Sequence, residues 1–147
     1  PSWCDSYKGE TIDGYAYFEA KDGDTLTFDF NMKVRFIAAR PEVDMDCGRY
    51  AVMRGPIVYC TEAVDNGMHL RDIRLAKRSR IKIEKDKDLN VTTLMLKGYR
   101  TDIQPESSLY YDVANEKLKE IKVKMIPYYA FANREETDML VWFCMDK

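Results

Sequence analysis

From Thr25 to Phe36 the chain reads TLTFDFNMKVRF, with Leu26, Phe28, Phe30, Met32, Val34 and Phe36 alternating with Thr27, Asp29, Asn31, Lys33 and Arg35. An unbroken period of two matches a β-strand with one buried and one wet face, and no helix. A slip of one residue would expose every apolar side chain, so the register is tightly specified. Just before it, GYAYFEA has strand composition, and KDGD places an Asp-Gly turn at Asp22 and Gly23. The pair reads as a hairpin.

The same reading extends along the chain. RIKIE (Arg80 to Glu84), VTTLML (Val91 to Leu96), IKVKMI (Ile121 to Ile126) and MLVWFCM (Met139 to Met145) are bounded by turn residues such as Asp65-Asn66-Gly67, Gly98 and Pro105. IKVKM alternates and is expected to be half exposed. MLVWFCM is apolar on both faces, which predicts a central strand covered on both sides or one passing between packed layers. Ser107 to Lys119 is ambiguous and accommodates one short helix. About seven or eight strands at roughly ten-residue spacing predict an all-β fold, an antiparallel, jelly-roll-like β-sandwich with at most one short helix.

Composition narrows the function classes. Hydrophobic residues make up 46% and charged residues 33%, with 23 basic against 25 acidic side chains and a formal charge of −2. Such a chain is globular, and its overall charge selects no partner. Arg71, Arg74, Lys77, Arg78, Arg80, Lys82, Lys85 and Lys87 form a basic stretch, but Asp72, Glu84 and Asp86 interrupt it, and no aromatic residue lies between Tyr59 and Tyr99 to stack on bases. The stretch reads as solvated strand faces, not a nucleic-acid site. No apolar run approaches the ~18 residues of a membrane span. Cys4, Cys47, Cys60 and Cys144 are widely spaced and His69 is the only histidine, a poor zinc set. Cysteines within or beside apolar strands read as reduced thiols, which favours a cytoplasmic setting.

No recognisable catalytic motif is present. The chain has no G-x-S-x-G elbow, phosphate-binding glycine loop or H-E-x-x-H, and His69 lies in the loop-like VDNGMHL. A glycosidase pair needs two carboxylates across a cleft. Asp44, Asp46 and Glu62 are nearest the unusual segment RYAVMRGPIVYC, but spacing picks no pair, and a salt bridge from Glu62 or another acid to Arg54 is the expected use. That segment (residues 49–60) breaks strand rules by carrying Arg54, Gly55 and Pro56 inside an apolar run. A second unusual segment, IPYYAFANR, sets Tyr128, Tyr129 and Phe131 beside Asn133 and Arg134. Either it is a sugar platform, or it is a corner where tyrosine hydroxyls and Arg134 satisfy backbone groups.

Taken in order, these segments resemble the C-terminal region of glycoside hydrolase family 127. The resemblance is carried by Gly48-Arg49-Tyr50-Ala51, Arg54 to Cys60, Glu62, Asp65-Asn66, Pro127 to Arg134 and Met139 to Trp142. Pro1-Ser2-Trp3, Gly14-Tyr15 and Gly23-Asp24 match further family positions. The resemblance implies a parent protein that is a retaining β-L-arabinofuranosidase acting on plant-derived glycans. Its nucleophilic cysteine, zinc-binding residues and acid/base glutamate would lie in an N-terminal helical barrel preceding Pro1. The family's zinc site uses adjacent cysteines, which this chain lacks, so no cofactor is expected in this chain and it is expected not to be an enzyme alone.

The resulting expectation is a non-catalytic C-terminal β-sandwich region over 1–147, divisible into 1–45, the remnant of a first sandwich, and 46–147, a second. The residues up to about Pro41 are expected to lack neighbours that strands before Pro1 provide in relatives. The expected partner is the parent's catalytic barrel. A second copy of the chain and a glycan remain open as further partners. Candidate interface or sugar-contact residues are Arg54, Tyr59, Glu62, Tyr128, Tyr129, Asn133 and Arg134, with Phe131 added in the carbohydrate-binding alternative. Gly55 and Pro56 are expected to make a bulge or edge segment, with Arg54 anchored by a carboxylate or several backbone carbonyls.

Overall fold

The computed structural model describes residues 9–77, 79–102 and 108–146. Pro1, Ser2, Trp3, Cys4, Arg78, Pro105 and Ser107, used above, lie outside the described residues. The fold is all-β, and most of its strands form one curled sheet.

A small hairpin comes first, β1 (Thr11–Ile12) with β2 (Tyr15–Ala16), turned by Asp13 and Gly14 at φ 50° and 84°. Two consecutive positive φ angles are what a type I′ turn requires, and an Asp-Gly pair supplies them. The expected Asp22-Gly23 turn is formed as well. Asp24 N–H donates to the Lys21 carbonyl at 3.1 Å, and the Asp24 carboxylate accepts from Lys21 N–H at 2.8 Å. Phe18 and Phe28 meet edge to face with centroids 5.2 Å apart. The long strand expected from Thr25 is shorter than its alternation suggests: β3 covers only Val34–Ala38. Leu26 and Phe28 remain 49% and 41% exposed. Alternation decides which side chains share a face, but a ladder also needs a paired edge and a covering layer. Among the described residues those are supplied from Val34 onward.

β3 pairs with β4 (Tyr50–Arg54), Val34 opposite Arg54 and Ala38 opposite Tyr50. β4 then turns directly into β5 (Ile57–Glu62), with Arg54 opposite Ile57. Gly55-Pro56 is therefore a two-residue hairpin turn, not a bulge within one strand. Gly55 has φ 56°, and a Cβ there would lie 2.5 Å from Met32 Sδ and 3.2 Å from the Asn31 carbonyl. Positive φ at the first central position followed by a proline-fixed negative φ matches a type II′ turn. Gly55 N–H donates to the Lys33 carbonyl at 3.1 Å, and Arg35 donates to the Gly55 carbonyl at 3.0 Å. The residues that seemed to violate strand rules end one strand and start another.

After β5 come a single α-turn, α1 (Ala63–Asn66), then β6 (Arg74–Ala76), β7 (Lys82–Lys85), β8 (Thr92–Thr101) and β9 (Leu118–Pro127). β8 and β9 form the longest ladder, from Leu94 opposite Met125 to Thr101 opposite Leu118. β7 and β6 share the other edge of β8, while the far edge of β9 meets β5 at Pro127 and Tyr59. The ambiguous stretch before β9 holds a 3-10 turn at Val113–Asn115, capped by the Asp112 carboxylate.

The segment MLVWFCM does not form one continuous central strand. β10 (Met139–Leu140) pairs with the end of β5, Phe143 exchanges backbone hydrogen bonds with Tyr50, and β11 (Cys144–Asp146) lies parallel to β6. These residues run from the β4–β5 side of the sheet to its opposite end, and of them only Phe143 is fully buried while Cys144 is exposed, so the expected cover on both faces is not met. The fold is all-β as expected, and its antiparallel character is mixed in one detail among the described residues: the strands curl over their core with β11 lying parallel to β6. The core holds Val52, Tyr59, Leu70, Ile73, Leu75, Leu94, Leu96, Val123, Met125 and Phe143.

Candidate functional site

The pairing of Tyr59 with Pro127 and Cys60 with Ile126 lays the two unusual segments side by side. Beyond this point β5 enters α1, while β9 enters a 3-10 turn at Tyr128–Ala130. Ala132 then takes φ 57°, reversing the chain. That reversal carries Arg134 back over Glu62 and Asp65.

Arg134 closes the seam. Its guanidinium donates to Asp65 Oδ1 at 2.9 Å, to Asp65 Oδ2, and to Glu62 Oε2 at 2.5 Å. The other Glu62 oxygen accepts from Ala132 N–H at 2.8 Å. Glu62 is only 2% exposed, so both of its oxygens need such partners. Lys124 extends the network, reaching Asp65 at 3.0 Å and Asp86 at 2.8 Å. Asn66 acts as a stand-in for a neighbouring strand: its side chain accepts from Lys124 N–H and donates to the Lys124 and Glu62 carbonyls, all at 2.9 Å.

Electrostatics matches this geometry. Burial pushes the Asp65 carboxyl up, but hydrogen bonds from Arg134 and Lys124 outweigh it and hold it below the ordinary carboxylate range. Asp86 is lowered to about 2, chiefly by the Leu89 N–H and then by Lys124. Burial works against the charge of Lys124, yet hydrogen bonds to Asp86 and Asp65 raise its pKa. Arg134 is raised by Asp65, against a burial cost, and further by Glu62. Every one of these groups therefore carries its charge stably around neutral pH. None is poised to exchange a proton there.

The other sequence-derived candidates separate. Tyr59 is fully buried, with its hydroxyl donating to the Thr92 carbonyl at 3.0 Å. Burial raises its pKa and the nearby Arg54 partly offsets this. Arg54 itself departs from expectation: among the described residues it has no carboxylate partner, and its Nε is buried without a hydrogen-bond partner. It is nonetheless half-buried beside Tyr59, not extended into solvent. The expected Glu62–Arg54 bridge fails for a geometric reason. Arg54 faces Ile57 at the turn, and Glu62 lies five residues further on, about 16 Å along the strand and on its opposite face.

Tyr128 and Tyr129 are 50% and 66% exposed. Phe131 turns inward onto Cys60, Ile126 and Ala130, Asn133 is exposed, and Arg134 is held in the ionic seam. Only the two tyrosines of the five-residue platform present their rings outward. Cys60 is buried, and its thiol is pushed up to about 12 by that burial, with Glu62 adding to the shift. It stays protonated near neutrality, which suits neither a nucleophile nor a metal ligand. Cys47 and Cys144 are exposed free thiols. His69 is exposed at φ 59° before the 3-10 turn Leu70–Asp72.

Asp46 lies apart from Glu62, in a groove of about 560 Å³ that also includes Arg49, Arg71, Tyr128, Met139 and Trp142. Sequence reasoning did not anticipate this groove, nor the roles of Lys124, Asp86 and Asn66. Lys124 occupies the wet face of IKVKM, where alternation predicts solvent. Its only sequence signal of engagement is the Asx-turn pattern Asp86–Asp88, whose carboxylate accepts from Asp88 and Leu89 N–H at 3.0 Å each.

A family model described as the glycoside hydrolase family 127 C-terminal domain matches residues 34–144. The chain belongs to that family. The family 127 domain is 35% identical over 143 residues to a non-reducing end β-L-arabinofuranosidase of Bifidobacterium longum subsp. longum, covering 91% of this chain and 22% of that protein. Among solved structures it resembles a family 127 β-L-arabinofuranosidase from Geobacillus stearothermophilus T6. That match has a TM-score of 0.74 and 33% identity, over 81% of this chain and 19% of the other. A second family 127 β-arabinofuranosidase matches with a TM-score of 0.66 and 34% identity, over 81% and 18% of the two chains. The family 127 domain thus spans about a fifth of the length of these relatives.

Proposed function

We propose that this family 127 domain is a non-catalytic part of a glycoside hydrolase that cleaves β-L-arabinofuranosides, and that it packs on and supports the parent's catalytic portion. The observation that carries this reading is the ionic seam. The acids and the arginine of the two family segments pair with one another across β5, α1 and the loop after β9. Glu62 and Asp65 both bind Arg134, which leaves neither carboxylate free to face a substrate. Chemistry is therefore assigned to residues outside this chain, including the zinc site that the family resemblance implies. The test is an assay of the purified chain with an aryl β-L-arabinofuranoside. The expected result is no release of arabinose, and release by the chain alone overturns the proposal.

A second reading, carbohydrate binding, draws on the adjacent exposure of Tyr128 and Tyr129. Aromatic faces of this kind stack on sugar rings. Calorimetric titration with arabinosides decides it: binding that Tyr128→Ala abolishes supports it, and no heat at millimolar ligand removes it.

A further inference from the structure

The turn Asp65-Asn66-Gly67 carries a reactivity that the proposed supporting role does not use. Asn66 is the only asparagine of the chain followed by glycine. In an unfolded chain an Asn-Gly pair reacts with itself, because no side chain on the glycine keeps its nitrogen from the asparagine carboxamide. The geometry points to Asn66-Gly67 as a self-modification site that the ionic seam keeps silent. Opening of the seam lets the carboxamide cyclise and hydrolyse to a carboxylate, after which the native bonding does not re-form.

The reaction needs only water. The Gly67 nitrogen gives up its proton and bonds to Asn66 Cγ, the Cγ–Nδ2 bond breaks, and ammonia leaves carrying that proton. The cyclic imide then takes up a water molecule. Addition at Cγ opens it to aspartate, and addition at the backbone carbonyl carbon opens it to isoaspartate, with the chain rerouted through Cβ and Cγ. Nothing is oxidised or reduced.

Every group the reaction requires is held back in the fold. Gly67 N–H, the source of the nucleophile, donates to the Ala63 carbonyl at 2.7 Å. The amide nitrogen that would leave donates to the Glu62 and Lys124 carbonyls, and Asn66 Oδ1 accepts from Lys124 N–H, all at 2.9 Å. Arg100 fixes the loop as well, donating to the Asn66, Gly67 and Met68 carbonyls at 2.9, 3.4 and 2.5 Å. Cyclisation needs its reacting atoms free to approach, so it proceeds only through states in which α1 has parted from β9.

The product works against the joint. A carboxylate at residue 66 has no hydrogen to donate to the Glu62 and Lys124 carbonyls. It also adds negative charge where Glu62, Asp65 and Asp86 already outnumber Arg134 and Lys124. Isoaspartate in addition lengthens the backbone between Asp65 and Gly67. Modification therefore favours the open seam that permits it, and the change is one-way.

Incubation of the purified chain in heavy-oxygen water, with residue 66 mapped by mass spectrometry, tests the assignment. Aspartate and isoaspartate form at least about tenfold more slowly in the native chain than in urea, as expected of a locally closed segment. Arg100→Ala frees the loop carbonyls without touching a seam carboxylate, and it removes much of that protection. A comparison that needs no variant to fold is hydrogen exchange: the protection of Gly67 N–H in the native chain matches the protection of residue 66 against modification. The consequence is read in Asn66→Asp through Cys60, which packs with Phe131 beside the loop that carries Arg134. Native-state alkylation of Cys60 is faster in that variant than in the unaltered chain. Four results each overturn the proposal: equal modification in native and unfolded chains, exchange protection of Gly67 far above the protection against modification, aspartate without isoaspartate, or Cys60 as protected in Asn66→Asp as in the unaltered chain. None of these measurements depends on the supporting role.

Discussion

Replacing Arg134 with alanine removes the cation that, among the described residues, pairs with Glu62. In the native chain the Glu62 side chain is 1% exposed, and that of Asp65 is 11% exposed. Deleting the partner leaves one carboxylate fully buried with only the Ala132 N–H, and a second with only Lys124. Breaking a buried pair from one side costs about 3–5 kcal/mol, because an uncompensated charge stays behind. An exposed pair would cost no more than about 1 kcal/mol. The two expectations are far enough apart for urea unfolding monitored by tryptophan fluorescence to separate them. The pH dependence sharpens the test. In Arg134→Ala the Asp65 carboxyl loses the largest of the hydrogen bonds that hold it below the ordinary carboxylate range, so the deficit relative to native is largest at neutral pH. It shrinks as pH falls and acid protonates that carboxyl. A loss below about 1 kcal/mol at pH 7, or a loss that does not change between pH 7 and pH 4, would refute the seam as a buried electrostatic joint.

Further predictions follow from the same structure. Asp86 titrates at about 2 in the fold against about 3.9 unfolded, so its contribution is complete above the unfolded value and lost as pH falls through the folded one. Asp86→Asn therefore costs up to about 2 kcal/mol at pH 7 and close to nothing near pH 2, as read by denaturant titrations at the two pH values. Gly98→Ala places a Cβ 2.7 Å from Val123 Cγ2 and 2.9 Å from the Arg74 carbonyl, so it destabilises by about 1–3 kcal/mol and lowers the melting temperature. Alkylation mapped by mass spectrometry labels Cys47 and Cys144 in the native protein, whereas Cys60 reacts only after unfolding. Native-state labelling of Cys60 would contradict its burial.

What the sequence reveals here depends on the range of the interaction. Period-two alternation locates β9, because its own side chains record which face is wet, and short apolar or β-branched runs bounded by turn residues locate β7 and β8. Alternation overextends β3, because the coverage of residues 25–33 is decided by what lies against them and not by their own pattern. The apolar run at 139–145 overstates burial, with Phe143 alone fully buried, and hides its geometry: one stretch pairs successively with β5, Tyr50 and β6, and no local periodicity encodes three partners. Gly55-Pro56 was visible as an anomaly, and its identity as a turn becomes clear only from the pairing of Arg54 with Ile57. Glu62 and Arg134 were legible as members of two unusual segments. Their mutual pairing was not, since it depends on Ala132 reversing the chain at a positive φ that an alanine seldom adopts.

The supporting role is tested most directly by calorimetric unfolding of the parent polypeptide beside this chain alone. A domain packed on the catalytic portion through an ordered interface unfolds with it, so the account predicts a single merged transition above the chain's own melting temperature. Two independent transitions, one of them at the temperature of the isolated chain, would contradict it.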